Sequence, residues 1–163
     1  MAQKGPSMII AGIDPGKSGA LAISYPDGSF TVLDVPLQKL KGKEVPAWSS
    51  WFSSWALAIE GVDKVLIESV ASRPGQGISS SFNFGRSLGF VHGIAASAPQ
   101  CAVEFVTPSV WKAKMGLLNS DKGASIEKAK SQLPGMLPYL TLKKHDGRAE
   151  AALLALYARR YLQ

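Results

Sequence analysis

Apolar residues fall in three short runs near the start of the chain, separated by polar stretches with the character of turns. Residues 8–14, 19–25 and 30–36 read as strands. The first link is Asp14-Pro15-Gly16-Lys17-Ser18-Gly19; the second holds Asp27-Gly28, a strong hairpin signal. The period then changes. Between residues 45 and 61, Trp48, Trp51, Phe52, Trp55 and Ile59 recur at helical spacing, with Gly61 as the stop, and the stripe reads as a core-facing helix. A short buried strand at 63–69 carries Glu68 near its end. A Gly/Ser-rich loop leads to a helix at 80–98, then a fifth strand at 101–106. A short helix at 107–117, with Thr107 as cap and Pro108 in its first turn, follows. A helical stretch at 120–134 and a last helix at 145–162 complete the pattern.

Three meandering strands followed by helix, strand, helix, strand and closing helices make a mixed α/β sheet covered on both faces. The chain reads as a single domain over 1–163, with residues 1–7 as a tail. A right-handed crossover sets the first and fourth strands side by side and parallel, so Asp14 and Glu68 meet at one sheet edge. Ligands of open α/β sheets collect at that edge. Asp146 and Glu150, four residues apart at the start of the last helix, share one of its faces.

Each acid alone has an ordinary use. Asp14 suits the cap of a Pro-Gly turn, Glu68 a strand-end ion pair, and Asp146 and Glu150 a helix N-terminus. Brought together, the four repel one another unless cations sit among them. Hard oxygen ligands suit Mg²⁺, with Mn²⁺ as a substitute, and a pair of such ions is an apparatus for phosphodiester hydrolysis. The net charge of +6 favours a polyanionic partner. One cysteine, Cys101, excludes an intrachain disulfide and a cysteine-based zinc cluster, which suits a reducing cytoplasm. No run reaches membrane-spanning length. Gly16-Lys17-Ser18 lacks the frame of a phosphate-binding P-loop, since only three residues separate Gly12 from Gly16.

The segments "IIAGIDPGKSGALAI", "VLIES", "SFNFGRSLGFVHGIAA", "VTPSVWKAKMGL", "SDKGAS" and "HDGRAEAALLA", in that order, resemble the RuvC family of Holliday-junction resolvases, especially the short RuvC-like nucleases of bacteriophages. The resemblance spans about residues 8–160. It implies a ribonuclease-H-like fold, a homodimer, Mg²⁺ dependence and nicking of branched DNA in the cytoplasm, that of the host for a phage protein. Four-way junctions are the implied substrate. Forks, flaps or RNA–DNA hybrids are the alternative on the same fold, and a non-catalytic branched-DNA-binding module is a further one.

Position by position, the resemblance makes Asp14, Glu68, Asp146 and Glu150 catalytic metal ligands, with Lys112 and Lys122 near the scissile phosphate. Cellular members often space the last two catalytic residues by three, against four here, and some use a histidine, which makes His145 a candidate too. Arg73, Gln76, Asn83 and Arg86 offer donors to DNA, as do Lys114, Lys143, Lys144 and Arg148; salt bridges to the neighbouring acids are the other use for the last three. Cellular resolvases place a wedging aromatic shortly after the glutamate. Here Ser69-Val70-Ala71-Ser72 follows it, so either Phe82 or Phe84 takes that role or the junction is opened differently. Gly85, Gly89 and Gly93, four residues apart, suit either close packing on the sheet or a helix pair across a dimer.

Overall fold

The computed structural model describes residues 8–71, 74–121 and 123–162. Strands β1 (Ile10–Ile13), β2 (Ala20–Ser24) and β3 (Phe30–Asp34) form an antiparallel meander. The Asp27-Gly28 turn joins the last two, with Gly28 at φ 85° and the Asp27 carboxylate accepting the Ser29 N–H at 2.8 Å. A separate hairpin follows, β4 (Leu37–Leu40) and β5 (Lys43–Pro46), then helix α1 (Trp48–Ala58). Strand β6 (Lys64–Glu68), helix α2 (Ile78–Ala96) and strand β7 (Ala102–Val106) come next. Helices α3 (Pro108–Lys114), α4 (Ala124–Gln132) and α5 (Asp146–Tyr161) close the chain, with a 3₁₀ segment, Pro134–Tyr139, before α5.

The five long-range strands lie in the order β3-β2-β1-β6-β7, with β6 parallel to both β1 and β7. This is the expected mixed sheet, three antiparallel strands then parallel ones. The β4–β5 hairpin was not expected from the sequence. Thr107 stands at the α3 N-cap as expected, but its hydroxyl bonds to that of Ser109 and caps no backbone N–H.

The two faces of the sheet are built differently. On one, Ala11, Ile13, Leu21, Ile23, Val65 and Ile67 pack against α1 and α2 through Trp51, Trp55, Ile59, Val91 and Ile94. The tryptophan stripe is therefore core, with Trp51 and Trp55 fully buried and Phe52 left outside. Burying two indoles outweighs the N–H groups of Trp51 and Trp55, which have no partner among the described residues.

The opposite face is smooth at its β2 strand and carries Ile10, Phe30 and Leu66 around it. Ala20 and Ala22 meet an alanine-rich side of α5 formed by Ala149, Ala151, Ala152, Ala155 and Ala158. Small residues on both surfaces let α5 sit directly on the middle of the sheet. Gly12 marks the closest approach: a Cβ there would lie 2.0 Å from the Ala151 carbonyl oxygen and 2.7 Å from the Ala155 nitrogen. At the first turn of α5 the same holds for Gly147, whose Cβ would lie 2.1 Å from the Ser18 carbonyl oxygen. Arg148 adds a polar tie, giving two hydrogen bonds to Asp34 at 2.7 and 2.6 Å and one to the Tyr139 carbonyl at 3.0 Å.

Gly12→Ala is expected to lower unfolding stability by at least about 2 kcal/mol, the usual scale of overpacking, because backbone on both sides must give way. Urea denaturation of the variant beside the wild type checks this.

Candidate active site

The parallel pairing of β1 with β6, with Ile13 opposite Ile67, brings Asp14 and Glu68 out at the same edge of the sheet. Asp14 begins a turn that its own side chain closes, accepting the Gly16 N–H at 2.9 Å. Gly19 completes that turn under the first residues of α5, and seating α5 there carries Asp146 and Glu150 to the same edge. Glu68 is buried, Glu150 half-buried and Asp146 exposed.

Helix α3 supplies the partners. The indole N–H of buried Trp111 donates to Glu68 Oε1 at 2.9 Å. The next residue, Lys112, donates through Nζ to Glu150 Oε1 at 2.8 Å. Ser125, from the first turn of α4, donates to the same oxygen at 3.1 Å. Two adjacent side chains of one short helix thus hold acids that come from a strand and a distant helix.

The electrostatics follow from this crowding. Burial, with added repulsion from Glu68, Glu150 and Asp146, pushes the Asp14 carboxyl up to about 7 against the stabilising Gly16 N–H. Burial also raises Glu68, with Glu150 adding to the effect, while the Trp111 hydrogen bond and Lys112 oppose it. The four acids therefore act on one electrostatic site, and Asp14 is its most strained anion.

No family model matches the chain, and no curated protein matches it in sequence. Solved structures do match in shape. RuvC of Thermus thermophilus in complex with a Holliday junction substrate superposes with a TM-score of 0.58 at 14% identity, covering 94% of this chain and 96% of that one. The fowlpox virus Holliday junction resolvase gives 0.55 at 17% identity over 96% and 100% of the two chains. The yeast mitochondrial Holliday junction resolvase Ydc2 gives 0.53 at 13% identity over 96% and 82%. The chain has the RuvC fold. It is the ribonuclease-H-like arrangement of a mixed sheet with helices around it.

Within that RuvC fold the residues singled out from the sequence separate into groups. Asp14, Glu68, Asp146, Glu150 and Lys112 gather at the sheet edge. Their donor set is all oxygen, and its repulsion is what a divalent cation relieves, so the residues fit Mg²⁺ or Mn²⁺ in chemistry. Among the described residues, however, no three candidate ligands stand close enough to bind one ion with their side chains as placed. Lys112 on Glu150 and Trp111 on Glu68 engage one oxygen of each acid.

His145 is not part of this group. Its Nδ1 accepts the Leu142 N–H at 3.3 Å, and the ring lies among Arg148, Asp34, Lys144 and the Tyr139 backbone. Burial, with Arg148 beside it, lowers its pKa and keeps the ring neutral. Arg148 is committed to Asp34 and not to the acids. Lys114 turns to the Tyr161 ring, 6.0 Å away, at the opposite end of α5 from Asp146. Lys143 and Lys144 are exposed.

Gln76 donates to Ser80 at 3.3 Å, and Arg86 lies 4.7 Å over the Trp48 ring and 5.9 Å from that of exposed Phe82. Phe84 is half-buried and Asn83 exposed. Gly85, Gly89 and Gly93 face open space, with nothing within 4 Å of a Cβ at any of them, so they do not pack on the sheet. Arg73 and Lys122 lie outside the described residues.

Sequence reasoning missed Trp111 and Ser125. A tryptophan directly before a candidate lysine was the available signal for the first, because a buried indole N–H needs an acceptor. Nothing in the sequence marks Ser125.

A carboxyl raised from its unfolded value of 3.8 to about 7 stabilises the folded state only while protonated there. That contribution is complete below pH 4 and lost as pH rises through 7. In chelator, Asp14→Asn is expected to be more stable than wild type by roughly 2–4 kcal/mol at pH 8, with the difference closing below pH 4. Denaturation across pH 4–8 checks the sign.

Proposed function

We propose that this protein is a metal-dependent endonuclease for branched DNA, with four-way junctions as its main substrate. The observation that carries the proposal is the convergence of Asp14, Glu68, Asp146 and Glu150 on one electrostatic site, with Asp14 forced up to about 7. The likeness in fold to junction resolvases supports the choice of substrate.

Asp14, Glu68, Asp146 and Glu150 are the residues that would hold Mg²⁺, or Mn²⁺ in its place. Bound there, a pair of these ions supplies an activated water and stabilises the leaving oxygen in phosphodiester hydrolysis. The chain's own groups set up the rest. Trp111 fixes the buried Glu68 carboxylate so that it cannot turn away from the edge. Lys112, beside Glu150, would offset negative charge developing on the phosphate. Ser125 keeps Glu150 oriented through its hydrogen bond to Oε1.

Two copies pair through α2 in this proposal. Its open glycine face, Gly85, Gly89 and Gly93, leaves room for a second helix to approach closely, and a two-fold pair presents two nicking centres to a four-way junction.

A non-catalytic branched-DNA binder is the second possibility, favoured by the Lys112–Glu150 pair, which neutralises one acid without a metal. Cleavage of a panel of four-way junctions, forks, flaps, RNA–DNA hybrids and linear duplex, with and without Mg²⁺, separates the two. The nuclease nicks the junction only with the ion; the binder never does.

Asp14→Asn is expected to cut junction nicking more than about a hundredfold, beyond the loss typical of residues outside a ligand set, while junction affinity stays within about threefold. Nicking by the variant at the wild-type rate in Mg²⁺ contradicts the assignment.

A further inference from the structure

We propose that the β4–β5 hairpin is a phosphate-contacting ridge that grips one arm of the nucleic-acid substrate beside the acids. The proposal rests on the substrate being branched DNA.

The hairpin leaves β3 at the edge that carries Asp14. Its root is fastened there: the Val35 N–H donates to the Gly19 carbonyl at 3.2 Å, and the Ala47 N–H to Pro36 at 2.8 Å. Leu40 and Lys43 are register partners, so the tip is a two-residue turn of Lys41 and Gly42. Both have positive φ, 49° and 75°. Gly42 is at ease in this conformation. Lys41 is not, because its Cβ crowds the backbone there, and Asn, Asp or Gly is the usual occupant. A lysine held at the apex against local preference points to a use for its charge.

The surroundings agree. Lys39, Lys41 and Lys43 are exposed, and none forms an ion pair among the described residues. Glu44 is the register partner of Lys39 yet makes no salt bridge with it. The ridge also parts two open troughs. One, of about 610 Å³, runs between the hairpin, the Asp14 turn and α2, and is lined by Lys17, Gln38, Glu44, Trp48, Asn83 and Arg86. The other, of about 580 Å³, is lined by Lys17 and Lys144, by Arg148 with its partner Asp34, and by Glu44. Troughs with a modest excess of basic over acidic side chains on both sides of a lysine-tipped ridge, at the edge where the backbone would be cut, fit a phosphate chain.

The test is junction binding by fluorescence anisotropy in EDTA across 50–300 mM NaCl. The variants are Lys41→Asn and the triple Lys39→Gln/Lys41→Gln/Lys43→Gln. Each phosphate contact contributes about 0.9 to the slope of log affinity against log salt, so the triple variant is expected to lose about two or more, and Lys41→Asn about one. Lys41→Asn is also expected to melt at or above the wild-type temperature, which separates lost contact from lost folding. Wild-type junction binding with an unchanged slope and affinity in the triple variant overturns the ridge and leaves the nuclease proposal standing; an acidic protein partner for the hairpin would give that result. A wild-type protein that binds no branched DNA overturns both.

Discussion

Everything at the candidate site depends on how closely α5 sits on the sheet. A helix with ordinary side chains toward β1 would stand off by the thickness of those side chains. Here Gly12 meets the backbone of Ala151 and Ala155, and Gly147 meets that of Ser18, so helix and strand approach almost atom to atom. Asp146 and Glu150 reach the Asp14 turn because of that approach. The smooth face of Ala20 and Ala22 and the large residues on the opposite face serve the same division of labour. Both sides supply burial, one through Trp51 and Trp55 and the other through Trp111, Leu153 and Leu154, and the α5 side also supplies position.

Position brings an electrostatic cost. Burial, with repulsion from the other three carboxylates, raises Asp14 to about 7, while Trp111 holds Glu68 and Lys112 and Ser125 hold Glu150. Those contacts satisfy one oxygen each of Glu68 and Glu150 and leave Asp14 with a single backbone donor, Gly16, among the contacts that lower its pKa. The arrangement is stable enough to fold and still incompletely compensated. Repulsion left uncompensated in this way is what a divalent cation would relieve.

The sequence made the large features legible for a plain reason. β1, β2 and β6 are buried on both faces, so their apolar runs stand out, and the Asp27-Gly28 turn announces itself. The convergence of Asp14 and Glu68 followed from right-handed crossover alone. The β4–β5 hairpin escaped because its residues are exposed or half-buried, with no alternation to read, and because Lys-Gly is an unusual turn pair. His145 illustrates a different limit. It adjoins Asp146 in sequence, but successive residues entering a helix point about 100° apart, and its ring is spent on the Leu142 backbone. Lys114, two residues after Lys112, likewise turns away from the acids, toward the Tyr161 ring. Periodicity reports which face is apolar; it does not report which polar neighbour lies across a gap.

The central claim is that these acids meet in order to share divalent cations. Crystals grown with Mn²⁺ and measured for anomalous scattering test it most directly. The account predicts Mn²⁺ at the sheet edge, about 2.0–2.2 Å from oxygens of Asp14 and Glu68, with Glu150 turned from Lys112 toward the ion. An edge free of manganese at saturating concentration, with Glu150 still held by Lys112, contradicts it.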